Sequence, residues 1–378
     1  MKKISIFGST GTVGRKAVDV VCNGDFEVVV LSGNRNAENL IEQALKIQPQ
    51  YVCVTDDAAF KKVRDALAGS KTKVIAGTEI AELARLNVDC CFMAISGDSG
   101  LLPTFECLGY AKRLAIASKE VILLGGNLLV TLAKKHCTKI IPVDSEHNAV
   151  FQCINCEDKG TIEEMILTAS GGAFSNYEEN ELENVSVRDA LKHPNWTMGQ
   201  KITVDSSTLI NKAFEIIEAA YLFEFPVGKI VPLLHANSII HGLVKFIDKS
   251  FKAILSFPDM LTPISFSINY PNRVSIDKLP EVNFAELGNL SFGKFKSWQK
   301  RNIDLAYHVF HDEKVIAFAV ADEIAVTKFI NNEIGFNEIY GTIMKILDVS
   351  DGEKIGSIED IVNTIFTVKQ RSAEILVR

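Results

Sequence analysis

The chain has 378 residues, 47% hydrophobic and 23% charged, which is apolar enough for packed cores and long enough for two or three domains. A formal net charge of -7 and a pI near 5.6 exclude a dedicated nucleic-acid or anionic-membrane surface, yet leave room for a small anionic substrate held by a few local cations. Eight scattered cysteines, with one isolated CxxC at Cys153 and Cys156, suit a reducing compartment and not a disulfide framework; those two thiols are read as incidental, ahead of a redox or zinc role.

The opening MKKISIFGSTGTVG has too short an apolar run for a signal peptide and predicts a strand. From Met1 to Val143 the runs KISIFG, FEVVVLSG, YVCVTD, KVIAG, CCFMAIS, RLAIAS and KIIPVD read as strands. Segments with helical spacing, such as GRKAVDVVCN and AENLIEQALKIQ, separate them. This alternation predicts a parallel sheet with crossover helices and ligands outside the carboxyl ends of its strands. The apolar stretch from Leu114 to Leu132 contains Lys119 and Glu120, so no membrane span is expected there, and the cytoplasm or an organelle matrix is the expected location. Residues 144–264 mix strands and helices, 265–295 read as a proline-punctuated connection, and 296–378 read as a small helical domain containing VIAFAVADEIAVTKFI.

Gly8, Gly11 and Gly14 follow the first strand and open a helix, an arrangement that lets a pyrophosphate approach backbone N–H groups at a helix N-terminus. The second strand ends in Ser32, Asn34, Arg35 and Asn36, with no carboxylate before Glu38 to take ribose hydroxyls. Arg35 suits a 2'-phosphate, so NADPH is favoured over NADH and over a merely surface arginine.

In IIPVDSEHNAVFQ, Asp144 and Glu146 would point the same way if the strand continued through them. Two converging carboxylates need a cation between them, a shared proton or full solvation, which leaves a divalent metal, an acid/base pair and a solvated turn open. KITVDSSTLINKAFEIIEAAYLF reads as a strand leading into a helix capped near Asp205 or Ser206. In that helix Asn211, Lys212 and Glu215 share a face, able with Ser206 to offer an amide, a cation and a hydroxyl to an anion and a third carboxylate to metal. TASGGAF, with Ser170, is a glycine turn, and HPNWTMG places His193, Trp196 and Met198 in a loop.

Together GSTGTVG, AISGDSGLLPT, ASKE, PVDSEHNAVFQ, LTASGGAF, HPNWTMGQKITVDSSTLINKAFEIIEA and PDMLTPI resemble the 1-deoxy-D-xylulose 5-phosphate reductoisomerase family, in family order to about residue 264 and more weakly beyond. The resemblance implies an α/β protein: a Rossmann-like NADPH domain at 1–143, an α+β catalytic domain at 144–264 with a lid near 170–200, the connection, and the C-terminal helical domain. It implies Asp144, Glu146 and Glu215 as ligands of Mg2+ or Mn2+, and Ser170, Ser206, Asn211 and Lys212 around the substrate phosphate. Lys119, Ser145 and His193 would lie near the reacting centre, with His193, Trp196 and Met198 in the lid. Gly8, Ser9, Thr10, Gly11, Thr12, Val13, Gly14, Asn34, Arg35, Asn36, Lys119 and Glu120 would bind the cofactor. A homodimer is expected from the family alone. Ser118, Ala173 and Asp322 depart from the common asparagine, proline and asparagine, which bears on lid stiffness and rate more than on activity. The competing readings are an NADP-dependent dehydrogenase of another phosphorylated polyol and a silent NADP-binding scaffold.

Overall fold

The seven runs rich in β-branched residues do form strands, separated by helices. In chain order they are β1 (Lys2–Phe7), α1 (Thr12–Cys22), β2 (Phe26–Gly33), α2 (Ala37–Ile47), β3 (Tyr51–Val54), α3 (Asp57–Ala66), β4 (Lys73–Ala76), α4 (Ile80–Ala84), β5 (Cys90–Met93), α5 (Leu101–Glu106), β6 (Arg113–Ile116), α6 (Lys119–Lys135) and β7 (Lys139–Pro142). The computed structural model describes residues 1–192 and 198–376. All neighbours in the sheet run parallel in the order β4-β3-β2-β1-β5-β6-β7, so the winding reverses at β1. Ile4, Ile6, Val52 and Phe92 are fully buried between the sheet and its helices, which is why these strands read as unbroken apolar runs.

The remaining elements are α7 (Ser145–Cys153), β8 (Ile162–Ala169), α8 (Val187–Ala190), α9 (Gln200–Thr208), α10 (Ile210–Phe223), β9 (Ile230–Leu234), β10 (Ile240–Phe246), β11 (Phe251–Leu255), α11 (Leu261–Asn269), α12 (Phe284–Leu287), α13 (Ser297–His311), α14 (Val315–Ile330), α15 (Glu338–Asp348) and α16 (Ile358–Leu376). The chain clusters into two units. The first comprises Met1–Ile122, Leu129–Asn148 and Met260–Lys278; the second comprises Leu123–Leu128, Ala149–Asp259 and the chain from Leu279 onward. In the second unit β10 lies antiparallel between β8 and β11, and β9 joins the far side of β8 in parallel. There α14 packs on α9, α15 and α16, and α13 packs on α10.

Three local expectations are corrected. Residues 201–208 are helical, not a strand: the Thr203 hydroxyl donates to the Gly199 carbonyl and Ser207 to that of Thr203, so β-branched and hydroxyl residues are accommodated by bonding back along the helix. Ser206 therefore lies near the C-terminal end of α9, not at a helix start, and left-handed Leu209 separates α9 from α10. The strand at 139–142 stops before Asp144, whose carbonyl accepts from Asn148 N–H, so Glu146 stands in the first turn of α7 and the strand argument for two co-directed carboxylates does not apply. Residues 265–269 complete a helix instead of a connection: Pro263 occupies the first turn of α11, where its missing N–H costs nothing, and Ile264 and Ile268 join the core beside α1. Among the described residues no helix is long and apolar enough to cross a membrane.

Candidate active site

In the first unit the glycine loop follows β1 at the point where the winding reverses. A Cβ on Gly14 would stand 2.0 Å from the Gly8 carbonyl oxygen, so only glycine lets the first turn of α1 pack on the loop. Gly11 precedes α1 with no side chain capping the helix, and Thr12 is exposed. Ser9 is fully buried, and its hydroxyl donates to Gln43 Oε1 at 2.7 Å, tying the loop to α2; Thr10 and Val13 are half-buried. Ser32 Oγ accepts from Gly8 N–H at 2.9 Å. Asn34, Arg35 and Asn36 are exposed at the end of β2, with Arg35 3.8 Å from an Asp56 carboxylate oxygen. Asn36 caps α2 by accepting from Asn39 N–H.

The DSEH stretch is also tied down within this unit. Lys119, at the start of α6, pairs with Asp144, and His147 Nδ1 lies 3.1 Å from the same carboxylate oxygen. Burial pushes the Asp144 carboxyl up, but the Lys119 ammonium and His147 outweigh it and hold the group well below the usual carboxylate range. Asp144 Oδ1 accepts from Ser145 N–H, and the Ser145 hydroxyl donates to Glu146. Glu120 accepts from the Ser118 hydroxyl at 3.4 Å.

The second unit gathers the residues expected around a phosphate. Ser170 begins the glycine turn at the end of β8, and a Cβ on left-handed Gly172 would lie 2.3 Å from the Ser206 carbonyl oxygen, so this turn sits directly against α9. Lys212 on α10 donates to the Thr168 carbonyl at 2.5 Å and to Glu215, and Asn211 Nδ2 donates to Glu215 at 2.5 Å. Lys212 and Glu215 are buried, so their polar groups depend on one another, and Ser206 is buried as well. Asn211 Oδ1 has no hydrogen-bond partner among the described residues. Met198 is half-buried just ahead of α9; His193 and Trp196 lie outside the described residues.

Asp144 and Glu146 in the first unit, and Glu215 in the second, each offer only oxygen donors, the chemistry hard divalent cations such as Mg2+ or Mn2+ take, and Asp144 is held ionised.

The sequence reading assigned no role to Gln43, His147 or Lys201, and marked Asp205 only as a helix cap and Asp322 only as a departure from the family pattern; Lys201 Nζ lies 2.7 Å from Asp205 and 2.5 Å from Asp322. Asp322, buried beside Glu323 inside the apolar run of α14, was the available signal.

Family models described as 1-deoxy-D-xylulose 5-phosphate reductoisomerase match residues 4–126, its C-terminal domain residues 140–223, and a DXP reductoisomerase C-terminal domain residues 255–371. A 1-deoxy-D-xylulose 5-phosphate reductoisomerase from Caldanaerobacter subterraneus is 38% identical over 98% of both chains. One from Bacillus thuringiensis, 1-deoxy-D-xylulose 5-phosphate reductoisomerase 1, is 40% identical over 100% of this chain and 99% of its own. Among solved structures, the Zymomonas mobilis reductoisomerase in complex with NADPH superposes with a TM-score of 0.93 at 30% identity, covering 99% of this chain and 98% of that one. A DOX-P reductoisomerase in complex with NADPH, fosmidomycin and magnesium gives a TM-score of 0.90 at 31% identity with the same coverage.

Proposed function

We propose the following for a chain that belongs to the 1-deoxy-D-xylulose 5-phosphate reductoisomerase family: it rearranges and reduces 1-deoxy-D-xylulose 5-phosphate to 2-C-methyl-D-erythritol 4-phosphate, with NADPH and a divalent metal, in non-mevalonate isoprenoid precursor synthesis. The observation that carries this activity is likeness to reductoisomerases along the whole chain.

The residue roles are our assignment. Asp144, Glu146 and Glu215 would hold Mg2+ or Mn2+, which when bound supplies Lewis-acid polarisation of the substrate's ketone, as NADPH supplies hydride. Lys119 and His147 keep Asp144 ionised for that task. Ser170, Ser206, Asn211 and Lys212 hold the phosphate, far from the bonds that change, so their binding energy serves to position the sugar. Ser145 orients Glu146 through its hydroxyl, and Lys119 and Ser145 face the reacting carbons. His193, Trp196 and Met198 close over the substrate. The glycine loop from Gly8 to Gly14 takes the pyrophosphate and Arg35 the 2'-phosphate, with Asn34, Asn36, Lys119 and Glu120 completing the cofactor contacts. The domain assignment is 1–143 for NADPH, 144–264 for catalysis and 296–378 for the helical domain, joined by 265–295, of which 265–269 finish α11.

The same reading includes a cytoplasmic homodimer. Free cysteines suit a reducing compartment. β11 is an edge strand, and exposed Phe251 on it and Ile247 just before it would be covered by a second copy. Light scattering would give the mass, a monomer at working concentrations counting against the dimer.

The test of function is loss of NADPH absorbance with 1-deoxy-D-xylulose 5-phosphate, after chelation and after adding back Mg2+ or Mn2+. Metal-dependent oxidation yielding the branched polyol phosphate is expected. No oxidation from folded, NADPH-binding protein would favour another phosphorylated substrate.

A further inference from the structure

Lys201 joins three helices of the second unit. Its ammonium lies 2.7 Å from Asp205 on its own helix α9, 2.5 Å from Asp322 on α14, and 5.3 Å from the centre of the Phe214 ring on α10. Asp322 is fully buried and Asp205 nearly so, while 31% of the lysine side chain is exposed. Two buried carboxylates facing each other across α9 and α14 would repel without a cation between them. Burial works to lower the Lys201 ammonium's pKa, but Asp205 and Asp322 more than reverse it, so the cation stays charged throughout the working range.

What the cation fixes is the helix that carries Ser206, the residue after Asp205. The Ser206 carbonyl is the surface against which the Ser170–Gly172 turn packs. One residue past the end of α9, left-handed Leu209 passes that placement to Asn211 and Lys212, and Asn302 Nδ2 on α13 holds the Thr208 carbonyl at 2.9 Å. Phe214, under the Lys201 ammonium, also packs on Phe318 of α14 at 4.8 Å between ring centres.

We propose that Lys201 is a positioning residue for the phosphate subsite: by bridging Asp205 and Asp322 it sets α9 against α14 and so places Ser206, Asn211 and Lys212 for a phosphate monoester. The proposal rests on the phosphate roles assigned above. Lys201 itself touches no reacting atom.

The test compares Lys201→Met, which removes the charge, with Lys201→Arg, which keeps it, in the full-length protein. The readouts are inorganic phosphate affinity by calorimetry, KM and kcat for 1-deoxy-D-xylulose 5-phosphate, and NADPH affinity. Lys201→Met is expected to raise the phosphate Kd and the substrate KM about tenfold or more, with NADPH affinity within about twofold, since small displacements of binding groups are costly. Lys201→Arg is expected to recover most of that loss. Where Lys201→Met proves too unstable, Lys201→Met/Asp322→Asn removes one of the two uncompensated buried charges, and with it their mutual repulsion, and is expected to show the same loss of phosphate affinity. Phosphate affinity unchanged in a folded Lys201→Met protein, whatever its Tm, would overturn the proposal, and so would equal losses in the Met and Arg variants. Failure of the underlying assignment looks different: the unaltered protein would itself bind no phosphate.

Discussion

Lys212 and Glu215 form an ion pair one turn apart on α10, with 4% and 1% of their side chains exposed. The same ammonium reaches the Thr168 carbonyl, so the cation assigned to phosphate and a carboxylate assigned to metal are mutually dependent before any ligand arrives. Removing one partner of such a pair leaves the other charge buried. Glu215→Gln keeps shape and an acceptor oxygen but gives up the charge. It is expected to lower metal-dependent turnover at least about 100-fold, while NADPH affinity stays within about twofold. Titration of Mn2+ by its paramagnetic signal checks the cause independently of turnover; unaltered Mn2+ affinity would remove Glu215 from the ligand set.

The glycine loop makes a sharper steric prediction. At Gly14 an added methyl meets the Gly8 carbonyl oxygen at 2.0 Å, a backbone atom that cannot swing aside. Gly14→Ala is expected to weaken NADPH binding by about tenfold or more, because loop and helix must separate where the pyrophosphate is to sit. Inorganic phosphate affinity should not change. Quenching of protein fluorescence by NADPH measures the first, and normal NADPH binding would show that the loop can move at little cost.

Arg35 is 88% exposed, so its removal has little packing to disturb. Arg35→Ala is expected to lower kcat/KM with NADPH by about tenfold, the scale of one lost charge-assisted contact, and to leave the slower reaction with NADH unchanged. Equal losses with both cofactors would mean that Arg35 does not read the 2'-phosphate.

The features legible in the sequence are those set by local periodicity and steric need. The strands of the first sheet declared themselves because burial on both faces demands unbroken apolar runs, and Gly8 and Gly14 because a strand-to-helix turn leaves no room for a side chain. Residues 201–208 misled because Ile202, Thr203 and Val204 favour strands, while the tertiary contacts that make α9 a helix come from residues far along the chain, including Asn302 and Asp322. Residues 265–269 misled in the opposite direction: Pro271 and Pro280 punctuate the stretch that follows, while the helix these residues complete is held by Ile264 and Ile268 in the core beside α1. Partners such as Gln43 for Ser9 and His147 for Asp144 depend on how elements pack or cap, which no single run of residues displays.

Glu353 gives a pH prediction away from the proposed site. Its carboxylate accepts from the N–H groups of Ile316 and Ala317 at the start of α14. Burial pushes its pKa from 4.5 up to about 7; those backbone bonds oppose the shift and Glu313 adds to it. The folded state therefore binds this proton more tightly than the unfolded chain does. The resulting stability is fully present below the unfolded value near 4.5 and is lost as pH rises through about 7. The part-exposed group warrants a discount, leaving on the order of 2 kcal/mol across that window. Glu353→Gln cannot ionise, so the difference in stability between it and the unaltered protein should move in the variant's favour from pH 5 to pH 8. Denaturant midpoints at several pH values measure that difference, and parallel curves would show that Glu353 keeps an ordinary pKa in the fold.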